Sequence, residues 1–440
     1  MSISAREISR KFGTPVFVLR PDVPIWQYRR LRQALDRWYP RSRIAYSFKT
    51  NTLPALCQTL MEQGAGAEVV AEHELDLAIR LGAKPEGIIF NGPVKPPSAL
   101  ERAVEADVGL INVEMWEEAI LLSRLMEARG RVQSVAVRIE TGVAAHRSLD
   151  PTFGGRTPSP TKFGWSLQTG EALAFCRRVA ALPGLRLDTL QMNLGSQIVS
   201  PHPYLEGLKC LSSLAVQLRN DDIWVTALDL GGGIGVPGIT RTKSGPLAHL
   251  VDALGGLGPK LDLNEPYDPA VEPEQLVPAL AGVVNENWDN PPTLVLEPGR
   301  FLVSEAMTLV TRICGVKRTA GSAWVYLDAG INLLPDAPGD QRWFELLRTG
   351  GAEVPLRPFH LVGPLCLKSD VIGYNVMLPE DLAVGELITI HDAGAYSVSR
   401  ATPFGMPRAP VVFASGESCR LVWRQETIDD MYSFDVGTLR

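Results

Sequence analysis

Eight short β-type runs separated by amphipathic stretches between residues 43 and 300 predict an α/β chain built on a parallel (β/α)₈ barrel. Past residue 300 the texture changes to short apolar runs broken by Gly/Pro-rich turns, which predicts a second, mostly antiparallel β domain. A third observation orients the first two. The chemically distinctive residues fall at or just after the ends of the predicted strands, where such barrels carry their active sites.

The predicted strands are 43–48, 67–70, 87–90, 108–111, 132–139, 185–191, 223–230 and 293–296. Helical patterns lie between most of them, for example over Pro54–Gly64, Glu74–Leu81 and Glu114–Gly130. In the C-terminal part, Ala323–Leu327, Leu387–His391 and Val411–Ala414 read as strands. The early run Pro15–Arg20 precedes the barrel and is expected to pair with that C-terminal sheet. The expected domains are therefore a barrel over 27–300 and a β-sandwich or β-barrel-like domain formed by 1–26 with 301–440. The segment Pro237 to about Glu272 is long and rich in Gly, Pro and Leu; it reads as a lid or as a plain surface insertion.

A chain of 440 residues can bury a large core and holds two domains more easily than one. Its apolar content of 45% and charged content of 21% suit a soluble globular protein. A net charge of −6 with no Lys/Arg run argues against nucleic acid as a partner. The charged N-terminus does not suit a secretory signal, and no run approaches the roughly 18 apolar residues of a membrane span. Six scattered cysteines without CxxC pairs read as reduced thiols, which points to the cytoplasm. Six scattered histidines without HxH or HExxH spacing argue against a metal site.

Lys49 closes the apolar run Arg43-Ile-Ala-Tyr-Ser-Phe-Lys49. Just past a buried strand, desolvation disfavours the charged amine, and a neutral amine can attack an aldehyde and hold it as a Schiff base. Leu228-Asp-Leu-Gly-Gly-Gly-Ile-Gly235 follows a strand pattern, and its successive glycines let backbone N–H groups approach an anion. The formal dinucleotide match Gly233-x-Gly235-x-x-Gly238 is interrupted by Pro237 and lacks a βαβ context, so a phosphate cup is the better reading. Asn193-Leu-Gly-Ser-Gln197 ends another strand and offers the Ser196 hydroxyl. Glu297-Pro-Gly-Arg300 puts a carboxylate and a guanidinium at a strand end, as a site or as a turn-closing ion pair. Gly363-Pro-Leu-Cys-Leu-Lys-Ser-Asp370 sets a thiol four residues before a carboxylate, and Gly394-Ala-Tyr396 resembles a strand-end turn.

In this order the segments resemble the alanine-racemase-like (fold type III) pyridoxal-phosphate decarboxylases, most closely the diaminopimelate and ornithine decarboxylase group. The likeness runs from Gly13-Thr-Pro-Val-Phe-Val18 to Gly394-Ala-Tyr396, through Gly64-Ala-Gly-Ala-Glu-Val-Val70 with Glu74, Asn112-Val-Glu114, Thr161-Lys-Phe-Gly164 and Asp328-Ala-Gly330. The resemblance implies that Lys49 carries pyridoxal 5'-phosphate and that Ser196, Gly231, Gly232, Gly233 and Tyr396 hold its phosphate. It implies that Glu297 faces the pyridine nitrogen, that Arg300 lies near phosphate or substrate carboxylate, and that the site is shared within a homodimer. Cys366 then protonates the carbanionic carbon and Asp370 helps to bind substrate.

Departures from the family pattern bear on substrate more than on cofactor. Asn193 stands where the group has a ring-stacking histidine, and Glu68 where it has an aspartate. Diaminopimelate decarboxylases show Cys-Glu-Ser-Gly-Asp, whereas this chain has Cys366-Leu-Lys-Ser-Asp370. Their Arg-Pro-x-x-Tyr segment after Asp-Ala-Gly is here Ile331-Asn-Leu-Leu-Pro-Asp-Ala337. Leaving a second charged centre without partners costs binding energy. The expectation is an amino-acid decarboxylase that does not act on meso-diaminopimelate but on another amino acid, free, conjugated or carrier-bound, in a specialised siderophore or antibiotic pathway. Lys368 is then a candidate for a substrate anion. The alternatives are a diaminopimelate or basic amino-acid decarboxylase with rebuilt contacts, and a catalytically silent regulatory homologue.

Overall fold

The computed structural model describes residues 3–143, 161–241, 270–319, 321–337, 339–348 and 354–437. Residues 242–269 of the segment read as a lid or insertion lie outside them. The chain separates into two compact units. One comprises Ile25–Val236 and Pro269–Phe301; the other comprises residues up to Pro24, Pro237–Asp268 and Leu302 onward.

The first unit is a closed ring of eight parallel strands: Ser42–Ser47, Gly66–Val69, Ile88–Phe90, Leu110–Val113, Gln133–Glu140, Leu185–Gln191, Ala227–Asp229 and Thr293–Leu296. Pairing of the fourth strand with the fifth, and of the eighth with both first and seventh, completes the ring. This is the predicted (β/α)₈ barrel, with most strand boundaries shifted by one or two residues. The seventh strand is the exception, because only 227–229 of the expected 223–230 pairs with its neighbours.

Helices between the strands bury one face each. In Trp116–Glu127 the residues Ala119, Leu122, Ser123 and Met126 are buried at i, i+3, i+4 and i+7 spacing, and a fully covered leucine such as Leu122 contributes about 1.5–3 kcal/mol. Helices Pro54–Glu62 and Pro97–Glu105 begin on proline, which lacks the N–H that a first turn cannot pair.

Inside the ring Ala45, Ile89, Leu110, Ala136 and Val295 form an apolar layer. Two residues further along each of those strands the side chain points inward again. Those positions are Ser47, Asn91, Asn112, Arg138 and Glu297, and the register aligns Glu68 with Ser47, and Gln191 and Asp229 with Arg138. Each of the eight strands thus ends, on the inner face, in a polar residue above a greasy plug.

The second unit is a mostly antiparallel sheet, as expected. Its order is Val371–Pro379, Leu356–Val362, Ala323–Leu327, Met307–Arg318, Val16–Leu19, Val411–Ser415 and Ser418–Trp423. The N-terminal strand Val16–Leu19 is buried throughout and joins this sheet as anticipated, antiparallel to Met307–Arg318 and parallel to Val411–Ser415. Its core gathers Ile8, Val16, Val18, Val310, Val412 and Ala414. Helix Ala5–Phe12 delivers Ile8 there, its start fixed by reciprocal Ser4 and Glu7 hydrogen bonds.

Candidate active site

Most of the polar ring at the C-terminal mouth of the barrel is linked by hydrogen bonds. Ser47 Oγ donates to Glu68 Oε2 at 2.5 Å, and Lys49 Nζ approaches the same carboxylate at 3.0 and 3.2 Å. Asn91 Nδ2 lies 3.0 Å from Glu68 Oε1 and 2.6 Å from Glu297 Oε1, bridging the two carboxylates. Asn112 Nδ2 donates to Asn91 Oδ1 at 3.2 Å, which fixes the Asn91 amide the right way round for that bridge. Gln191 Nε2 reaches Glu297 Oε2 at 3.5 Å.

Lys49 sits in the single turn Phe48–Thr50 directly after the first strand. Burial is not what distinguishes it: its side chain is 36% exposed, while its partner Glu68 is fully buried. In place of the desolvated surroundings expected from sequence, the amine has a carboxylate as its neighbour. Burial first, then the charge on Glu68, push the Glu297 carboxyl up to about 7. Lys49, Asp229 and Asn91 pull it the other way. Arg138 is lowered by burial against the opposing charge of Glu114, whose Oε1 lies 3.6 Å away, and its guanidinium stacks 4.3 Å over Phe163.

Two turns pack side by side on this mouth. Ile198 N donates to Gly233 O and Gly235 N to Ile198 O, at 2.9 and 3.0 Å, tying 193–198 to 231–236. The glycines are required by closeness. A Cβ would lie 2.6 Å from Met192 O at Gly231, 2.4 Å from Glu297 O at Gly232 and 2.4 Å from Gly195 O at Gly233. Gly231 and Gly233 also have positive φ. Gly231 N already donates to Asp229 Oδ1 at 2.8 Å. Among the described residues, no acceptor meets the N–H of Gly232 or Gly233, so these two can face an anion, as a phosphate cup requires. Asn193 uses its Oδ1 to accept Gly195 N at 3.0 Å, a local turn bond that holds the Ser196 loop in shape. Arg300 is buried at the start of the short helix Arg300–Val303, and Gly299 before it packs against Thr50.

The remaining predicted residues belong to the second unit. Cys366 and Lys368 are exposed on the loop after Leu356–Val362. Asp370 closes that loop: its oxygens accept Ile331 N at 2.7 Å and Leu365 N at 2.8 Å. Burial raises its pKa, and those two bonds oppose the shift. Gly330 and Gly363 leave room for this carboxylate, which a Cβ at either would strike. Tyr396 is half-buried with φ +56°, an uncommon conformation for an aromatic residue and a strained one.

Sequence reading missed Asn91, Arg138, Gln191 and Asp229. Their signal was a polar residue on the inner face at or next to the end of a strand, interrupting the period-two apolar pattern and visible only once the strand register is known.

A lysine and a pair of backbone amides able to face an anion, on one barrel mouth, suit the class of enzyme that anchors a phosphorylated carbonyl cofactor through an amine. Residues 26–304 match the family model described as pyridoxal-dependent decarboxylase, pyridoxal binding domain, and the chain belongs to that family. It is accordingly a pyridoxal-phosphate-dependent carboxy-lyase of the diaminopimelate/ornithine decarboxylase type, which bears out the resemblance read from the motifs. A diaminopimelate decarboxylase of Methanocaldococcus jannaschii is 27% identical over 98% of this chain and 93% of its own length. One from Actinosynnema pretiosum is 29% identical, covering 99% and 91%. The crystal structure of the M. jannaschii diaminopimelate decarboxylase in complex with L-lysine superposes with a TM-score of 0.84 at 25% identity, over 98% of this chain and 94% of that one. Among the described residues no helix is long and apolar enough to cross a membrane.

Proposed function

We propose that this enzyme removes the α-carboxylate of an amino acid or amino-acid conjugate other than meso-diaminopimelate, in a homodimer with shared active sites. The observation that carries the reading is the continuous chain Lys49–Glu68–Asn91–Glu297 at the barrel mouth, next to the unengaged N–H groups of Gly232 and Gly233. The donor set suits pyridoxal phosphate. Lys49 is the anchoring amine, Ser196, Gly232, Gly233 and Tyr396 take the phosphate, and Gly231 gives the turn its shape. Glu297 receives the pyridine N–H, with Asn193 at the ring and Glu68 beside the amine. The electron pair left behind when CO₂ departs needs a sink, which pyridoxal phosphate supplies when bound.

The protein's own contributions are orientation and proton placement. Arg300 orients a carboxylate or phosphate, and Cys366 of a neighbouring subunit delivers a proton to the α-carbon. Asp370 acts on substrate through the loop that carries Cys366, since both its oxygens already take backbone N–H groups. Substrate selection follows from Leu367 and Lys368, both exposed, where a carboxylate would meet a distal ammonium. An unpaired charged centre there costs about 1–3 kcal/mol or more. Lys368 instead suits an anionic substituent, such as that of a conjugated or carrier-bound substrate in siderophore or antibiotic assembly. The similarity to diaminopimelate decarboxylases favours a second reading, that diaminopimelate or a basic amino acid is taken through rebuilt contacts.

The test is to record the visible absorption of the protein loaded with pyridoxal phosphate, then monitor CO₂ release from diaminopimelate, lysine, ornithine, arginine and anionic amino-acid conjugates. Release from a conjugate alone supports the first reading and release from diaminopimelate the second. Absence of a bound-cofactor band after loading would leave only a silent regulatory homologue.

A further inference from the structure

Asp229 ends the seventh barrel strand, beside Gln191 of the sixth strand and Val295 of the eighth. It is fully buried, and Glu297, two residues past Val295, is nearly so. Its Oδ1 accepts the Gly231 N–H at 2.8 Å, while its Oδ2 is buried with no donor among the described residues. The group facing it is the Glu297 carboxyl, another acceptor. Two bare carboxylates cannot share a dry site, because each costs desolvation and repels the other. A single proton between them converts the repulsion into a hydrogen bond.

The surrounding charges decide which partner holds that proton. Glu68 on the second strand adds negative charge near both groups, and Lys49 and Arg138 add positive charge. Glu297 has two amide donors of its own, Asn91 at 2.6 Å and Gln191 at 3.5 Å, which favour its anion. Asp229 has one backbone N–H and, among the described residues, no cation within hydrogen-bond reach. We propose that Asp229 is a positioning residue that stays protonated, donates to Glu297 and thereby holds Glu297 anionic, aimed at the place of the pyridine nitrogen. Burial and the Glu297 charge, both raising the Asp229 carboxyl well above its ordinary value, agree with the direction. The inference rests on the proposed role of Glu297.

The first readout uses cofactor-free protein. Above about pH 8 the carboxyls of Glu74 and Glu297, both near 7, have lost their protons. Infrared difference spectra there should still show a buried carboxylic-acid C=O band, and Asp229→Asn should remove it. Glu114 and Asp370, also raised by burial, contribute equally to both proteins, so a spectrum that Asp229→Asn leaves unchanged overturns the assignment. The second readout is affinity for pyridoxal phosphate at the same pH. Asp229→Ala should weaken binding about tenfold to a hundredfold, the usual loss for a partner once removed from the ligand. Asp229→Asn, whose amide can accept Gly231 N–H and donate to Glu297, should recover most of that loss, and Asp229→Leu should not. Equal loss in Asn and Leu variants would reduce Asp229 to a packing residue. Glu297→Gln separates the two ideas: wild-type affinity there refutes the role of Glu297, whereas weakened binding in Glu297→Gln with wild-type binding in Asp229→Ala refutes only that of Asp229.

Discussion

Glu74 holds its proton more tightly in the folded chain, because the helix Glu72–Arg80 sets it half-buried beside the end of the second barrel strand. Burial raises its carboxyl from 4.5 to about 7, and nearby Glu68 adds to the rise. The Val70 N–H, 2.8 Å from Oε2, and the Lys49 charge oppose it. The folded state therefore binds more protons than the unfolded state between those two values, and stability must fall as pH rises through that window. Below 4.5 both states are protonated and the group contributes nothing; above about 7 the full penalty is present. Glu74→Gln keeps an acceptor for Val70 N and cannot ionise. Urea midpoints of the cofactor-free protein across this range should show the variant gaining on the wild type as pH rises; parallel curves would refute the shift. At this scale much of the candidate site was legible. Lys49, Glu297 and the glycines announced themselves by chemistry at strand ends, whereas Asp229 hid among apolar neighbours in Leu228-Asp-Leu, where only the facing carboxylate makes it significant.

Strand and helix limits were legible because each element satisfies its own period. Leu185–Gln191 and Thr293–Leu296 were read to the residue, since turn-forming Gly or Pro precedes each and the site loop follows. The seventh strand was overread because Ile223, Trp224 and Val225 are apolar, although Trp224 is exposed outside the ladder. The glycine turn after it was read as a phosphate cup, yet the harder constraint is backbone contact. Gly232→Ala would set a Cβ 2.4 Å from Glu297 O, and because both sides are backbone the strand ends must move. The expected cost is about 1–3 kcal/mol, with a loss of pyridoxal-phosphate affinity. The matched control is Gly282→Ala on the exposed side of helix Pro273–Asn287, where a Cβ meets nothing within 4 Å. That change should stabilise by about 0.5–1 kcal/mol. Chemical denaturation of both variants checks the pair, and a Gly232→Ala protein as stable as wild type would show that the turn is not so constrained.

At the scale of the whole molecule, the residues proposed for the chemistry come from two units of one chain. The barrel unit carries Lys49, Glu68 and Glu297, and the β unit carries Cys366, Asp370 and Tyr396. The order of elements along the chain predicted both units, including the return of Val16–Leu19 to the C-terminal sheet, because an isolated strand with four buried side chains needs partners on both edges. Sequence order does not say from which subunit the two halves of a site come. Under the proposed homodimer, Cys366 serves the Lys49 of the neighbouring chain. Lys49→Ala should lose the bound-cofactor absorption band, and Cys366→Ala should keep the band but lose most turnover. Neither single variant then has an intact site, but a hybrid of the two has one: the native barrel of the Cys366→Ala chain meets the native thiol of the Lys49→Ala chain. Random exchange of equal amounts makes half of the dimers hybrid, each with one of two sites intact, so activity should return to about a quarter of that of the wild type. The assay is CO₂ release after mixing, with subunit exchange followed independently by differential tagging. Recovery to that level identifies the thiol as a partner's contribution; complete exchange with no recovery would place both groups in one chain's site.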